Sequence, residues 1–121
     1  MRILHVLAQL PIKTGSGVYF TNVINGLKEF NVEQAAIYAT TPEYNFNFIE
    51  EKFEVEFQGE DISFPIVGMS DIMPYDNTLY KNMTDEMMAS WQAAFRKKLI
   101  QAREEFRPDV VITHHLWILS S

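Results

Sequence analysis

Pro108-Asp109-Val110-Val111-Ile112-Thr113-His114-His115-Leu116-Trp117 is the stretch whose reading decides the fold. The proline ends a long helical pattern, the apolar and β-branched residues after it make a buried strand, and two histidines arrive where that strand runs out. In open α/β sheets, ligands sit outside the carboxyl ends of the strands. A titratable pair at such a tip is better placed for chemistry than one in mid-element.

Working outward, the pattern before Pro108 is an amphipathic helix over residues 84–106. Met87, Met88, Trp91, Ala94, Phe95, Leu99, Ala102 and Phe106 trace one face at three- and four-residue intervals. Thr84 is placed to cap it, and Asp85 and Glu86 suit the positive end of its dipole. The Met and aromatic stripe reads as core, not as a cofactor site.

At the amino end, a buried strand over residues 2–9 runs into Pro11-Ile12-Lys13-Thr14-Gly15-Ser16-Gly17-Val18 and then a helix. Ser16 is the expected cap, Phe20, Val23, Ile24 and Leu27 fall at helical spacing, and Asn31 is the expected left-handed terminator. Residues 32–39 then read as a second strand, which completes a βαβ unit. Phe53, Val55 and Phe57 alternate with Glu54 and Glu56, as in a strand with one wet face. Residues 62–67 contain Pro65 and suit an edge or a loop, and residues 68–77 read as a loop. Strands alternating with strong helices imply an α/β fold, a Rossmann-like parallel sheet with flanking helices. Residues 2–9, 32–39 and 109–113 should lie parallel in one sheet.

The chain has 121 residues, a size that allows one small domain. A net charge of −6 argues against nucleic acid as a partner. The absence of cysteine removes disulfides and thiolate metal sites, and fits a cytoplasmic protein. The apolar run that starts Arg2-Ile3-Leu4-His5-Val6-Leu7-Ala8 is interrupted by His5 and Gln9 and followed by no small-residue cleavage site before Gly15, so it reads as a first strand rather than a signal peptide. No apolar run approaches the roughly 20 residues of a membrane span.

Two segments carry candidate chemistry. A glycine-bearing turn between strand and helix suits an anion, because Gly15 and Gly17 permit close backbone approach and the helix's positive end lies beside them. The pattern is neither G-x-G-x-x-G, since Phe20 stands three after Gly17, nor a P-loop, since Lys13 precedes the glycines. Two glycines in a turn are by themselves more often a simple turn than a phosphate site, and Lys13 reads as a solvated side chain. His114 and His115 point to opposite faces in extended backbone, so only one faces a cleft easily. His5, the other histidine, is expected near the start of its strand and away from the tip, which leaves too few ligands for zinc. No metal or cofactor is implied. On spacing alone, a structural polar pair and a sugar-contacting imidazole remain equally open.

Met1-Arg2-Ile3-Leu4-His5-Val6, Gly15-Ser16-Gly17-Val18, Phe64-Pro65-Ile66-Val67-Gly68-Met69-Ser70-Asp71 and the 108–117 stretch together resemble the amino-terminal domain of a family 4 glycosyltransferase. These are retaining enzymes of the two-domain fold shared with glycogen and sucrose synthases. The resemblance implies transfer of a hexose from a nucleotide-diphosphate sugar donor to an acceptor hydroxyl. It maps the donor diphosphate to Gly17 and, less firmly, to Ser16 and Gly15. It assigns the contact with the donor sugar and reacting centre to His114, which follows the small residue Thr113, with His115 as the alternate. The family's carboxy-terminal nucleotide-sugar-binding domain has no counterpart in residues 1–121. The chain therefore reads as an incomplete amino-terminal domain, expected to be inactive alone and to self-associate through the apolar surface around Leu116, Trp117, Ile118 and Leu119.

Two rivals stand beside that reading: a stand-alone α/β ligand-binding module, and a flavodoxin-like or receiver-like regulatory domain. The receiver form is disfavoured because the first strand ends Ala8-Gln9-Leu10, with no acidic cluster to hold a metal and accept phosphate.

Overall fold

A computed structural model of the chain describes residues 1–12, 15–68, 77–79 and 82–114. His115, Lys13, residues 69–76 of the expected loop and the apolar residues 116–119 lie outside the described residues. The elements are β1 (Arg2–Leu7), α1 (Gly15–Leu27), β2 (Glu33–Thr40), β3 (Glu51–Glu56), β4 (Ile66–Gly68), β5 (Asn77–Leu79), α2 (Asp85–Glu105) and β6 (Val110–His114).

Four strands form one parallel sheet in the order β3-β2-β1-β6, as expected for an α/β fold of Rossmann type. The strands of residues 2–9, 32–39 and 109–113 are all in it. β4 and β5 pair in parallel as a separate two-stranded sheet, which keeps Pro65 out of the main ladder.

Each helix takes one face of the sheet. Leu4, Val6, Ala35, Ile37, Phe53 and Val55 pack with Trp91, Phe95 and Ala102 of α2 and with Phe106, the residue that caps it. Leu7, Ala36 and Tyr38 pack against Phe20 and Ile24 of α1. Thr84 caps α2 as expected, its hydroxyl accepting from the Met87 N–H. At the other end the N–H groups of Phe106 and Arg107 both donate to the Ala102 carbonyl, and Arg107 turns left-handed (φ 55°) just before Pro108. The Asp109 carboxylate then accepts from the Arg2 N–H at 2.9 Å and starts the β1–β6 register.

Three expectations need correction. Ser16 does not cap α1; the helix already includes Gly15, and the Ser16 hydroxyl donates to Gln9 Oε1 at 3.2 Å. Gly17 nests under the backbone of Leu10 to Ile12, and that close approach sets the early start. Asn31 is not left-handed, because α1 ends at Leu27 and leaves through ordinary turn bonds such as Phe30 N–H to Leu27 O. The Gln34 side chain instead donates to the Ile24 carbonyl, so no glycine-like terminator is required.

The third correction concerns β6, which was expected to be buried. It is an edge of the described sheet, with Val110 and Val111 39 % and 49 % exposed. The cause is where the helices lie: α2 crosses β3 and β2, and α1 lies on β1, so much of β6 is left uncovered.

Candidate functional site

The strand order reverses between β1 and β6, since β2 and β3 extend to one side of β1 and β6 lies on the other. Sheets of this type bind ligands in the crevice outside the carboxyl ends of the strands at such a reversal. Leu7 pairs with His114 at that edge, and α1 begins there. Gly15, Ser16, Gly17 and His114 therefore lie at one edge of the fold, while His115 is outside the described residues.

Side-chain geometry follows from the register. His5 is opposite Ile112 and Leu7 is opposite His114, so His5, Leu7, Ile112 and His114 share the α1 face. His114 is 9 % exposed and is packed by Phe20, at a ring-centroid distance of 5.1 Å, and Tyr19, at 5.9 Å. Its Nε2 is buried with no hydrogen-bond partner among the described residues. Burial, and secondarily the charge of a protonated His5, holds its pKa below the ordinary histidine value.

His5 was expected to lie away from the tip. The structure places its ring 6.2 Å from that of His114, because successive same-face positions on paired parallel strands are neighbours. Its Nε2 lies 2.8 Å from Gln34 Oε1. Gln34 spends its amide N–H on the Ile24 carbonyl, which leaves Oε1 as acceptor and makes His5 Nε2 the protonated nitrogen. Burial lowers the His5 pKa, against the opposing pull of that hydrogen bond.

The glycine segment forms the first turn of α1, not a loop ahead of it. Gly15 stands in open space. Gly17 is buried, and a Cβ there would meet Leu10 O at 2.7 Å and Ile12 N at 2.8 Å. One function of Gly17 is thus close packing of helix against loop. The helix still directs its positive end to this edge, where an anion would be favoured.

Sequence reading missed Gln9, Tyr19 and the proximity of His5. Gln9 is 6 % exposed and ties the end of β1 to Ser16. A polar residue just beyond the apolar run of β1 was the available signal. At the opposite, amino edge of the sheet, Arg2, Glu33, Glu51 and Glu105 help line a cavity of about 290 Å³ that reaches Gln34, the hydrogen-bond partner of His5. No group of three or more His, Asp or Glu among the described residues is arranged to hold a metal ion. No helix among them is long and apolar enough to cross a membrane.

No known protein family, curated protein or solved structure matches this chain.

Proposed function

We propose that this chain is the first part of the amino-terminal domain of a cytoplasmic, retaining glycosyltransferase of family 4, which moves a hexose from a nucleotide-diphosphate sugar to an acceptor hydroxyl. The observation that supports this reading is the meeting of α1's positive end and His114 at the strand-order reversal between β1 and β6. In the reaction the bond from the anomeric carbon to the diphosphate oxygen breaks with its electron pair going to the diphosphate, the acceptor oxygen bonds to that carbon, and the acceptor proton passes to the departing diphosphate. The segment of Gly15, Ser16 and Gly17 would carry the diphosphate, with the helix end stabilising the charge that develops on it. His114, or its alternate His115, would orient the donor sugar. In enzymes of that family a second domain grips the nucleotide, so residues 1–121 taken by themselves would bind weakly and turn over little.

Chemical-shift titration with a nucleotide-diphosphate sugar tests the site. Perturbations should centre on Gly15, Gly17, Phe20 and His114. Shifts confined to the amino-edge cavity around Arg2 and Glu33 would remove the assignment.

One observation favours a stand-alone ligand-binding or regulatory module: His114 is packed behind Tyr19 and Phe20, which suits a structural imidazole. Continuation of the reading frame for about 250 or more residues into a second α/β domain would favour the transferase over the module.

Self-association of the 121-residue chain belongs to the same proposal. β6 is an edge of the described sheet, carries no Asp, Glu, Lys or Arg, and exposes Val110 and Val111. Such an edge is a template for pairing. Sedimentation velocity should show dimers or larger species that grow with concentration. A monomer at all concentrations would refute it.

A further inference from the structure

His5 and His114 are ring neighbours across the β1–β6 pairing. Phe20 closes on both, meeting His5 edge-on at 6.1 Å and His114 at 5.1 Å. Phe20 and His5 are fully buried and His114 is 9 % exposed. Nδ1 of His5 and Nε2 of His114 have no hydrogen-bond partner among the described residues. α1 is thus seated on two neutral, incompletely bonded imidazoles through one phenyl ring.

Among the described residues, the surrounding elements offer no counter-charge to this pair. α1 carries no Asp, Glu, Lys or Arg, and sets Tyr19 and Phe20 against His114. On β1, Arg2 lies at the far end and is paired with Glu33 of β2. Also on β2, Gln34 is neutral, and Tyr38, on the other side of Phe20, donates to Glu54 of β3. In and around the Phe46–Phe48 segment, Lys28 and Lys52 donate to the carbonyls of Phe48 and Phe46. β6 contributes no charged side chain besides His114. Glu33, Glu50 and Glu51 line the amino-edge cavity beyond Gln34. A proton arriving at the pair finds no carboxylate bonded to either ring among the described residues, sits close to the positive end of α1, and repels a second proton on the neighbouring ring.

We propose that His5 and His114 form an acid-sensitive latch: α1 stays seated on the sheet while both rings are neutral, and a proton on the pair loosens α1 and the carboxyl end of β6. The latch needs no donor sugar and would operate equally in a transferase or a binding module. It would couple mild acidification to the shape of the edge where α1 begins.

The lowered proton affinity of both rings agrees with this, burial being its main cause. The sign is definite. An unfolded histidine titrates near about 6.5, and the folded rings titrate lower. Below about pH 6.5 the unfolded or loosened state therefore binds more protons, so stability is full above that pH and declines as the pH falls toward the folded values. Carboxylates at their ordinary values of about 3.9–4.3 titrate below this window.

NMR of the 121-residue chain between about pH 8 and about pH 5 tests the latch. Both imidazoles should titrate below a free histidine, and the amides of Tyr19, Phe20 and Ile24 should shift or broaden in step with them. Those of Trp91, Phe95 and Ala102 on α2 should stay in place. Substituting His114→Phe or His5→Phe should shrink the α1 response. A ring titrating at or above the free value, helices responding together or not at all, or an undiminished response in both folded variants would overturn the proposal. Should the variants not fold, the wild-type titration decides alone.

Discussion

Phe20→Ala is expected to cost about 3–5 kcal/mol of folding stability, the range for truncating a buried phenylalanine. Phe20 is fully buried and meets His5, Tyr38, Phe48 and His114 edge-on. It is the main anchor of α1, whose other fully buried large side chain is Ile24. Truncation opens a cavity beside two imidazole nitrogens. Water entering to bond them would recover part of the loss, which places the result toward the lower end of the range. Against a typical domain stability of about 5–15 kcal/mol, the change is large. At about 4 °C per kcal/mol, the melting temperature should fall by roughly 12–20 °C. Phe30→Ala is the control: Phe30 is 63 % exposed, and its removal should stay within about 0.5 kcal/mol. Urea melts followed by circular dichroism measure both. Equal, small effects from the two substitutions would mean that Phe20 does not seat α1.

Periodicity made most of the fold legible. Residues 84–106 carry their apolar positions on one face over many turns, and Asp85–Glu105 is the helix that results, with Thr84 as its cap. Phe53, Val55 and Phe57 alternate with glutamates, and that alternation is the burial pattern of β3. Boundaries set by tertiary contact were not legible. Ser16 has the chemistry of a cap, but the close approach of Gly17 to the Leu10–Ile12 backbone starts the helix before it. Asn31 has the chemistry of a terminator, but Gln34, seven residues beyond Leu27, satisfies the Ile24 carbonyl instead. Val110 and Val111 are as β-branched as a central strand, and only the strand order and the helix positions expose them. The pairing of Ile66–Gly68 with Asn77–Leu79 left no pattern, because three residues are too few to show a period.

The candidate site divides the same way. The carboxyl edge was legible, since a strand running into His114 and a glycine-bearing helix start both point to it. The His5–His114 contact was not. It depends on the register that sets His5 against Ile112, and a shift of one residue would turn His114 to the other face. Ser16 illustrates the limit further: its partner Gln9 is seven residues away, across a connection whose path no local pattern specifies.

Gly17→Ala should destabilise the fold and Gly15→Ala should not, although the two glycines lie two residues apart in one helical turn. At Gly17 an added Cβ would fall 2.7 Å from Leu10 O, 2.8 Å from Ile12 N and 3.0 Å from Pro11 C. All three are backbone atoms, so relief requires the connection or the helix to move. Overpacking of this kind costs about 1–3 kcal/mol, more than the roughly 1 kcal/mol that alanine returns in helix propensity. At Gly15 nothing lies within 4 Å of the added Cβ, and neither glycine has a positive φ. Gly15→Ala should therefore be neutral or stabilising by up to about 1 kcal/mol. The pair also separates packing from binding. If the positive end of α1 carries the donor diphosphate, the Gly17 substitution should weaken nucleotide-diphosphate binding by displacing the helix start, while Gly15→Ala should retain it unless the ligand approaches Gly15 itself. Denaturation curves and the nucleotide-sugar titration, run on both variants, measure the two effects. A Gly17→Ala protein as stable as the parent would mean that the connection over the helix is loose, and the close approach would no longer account for where α1 begins.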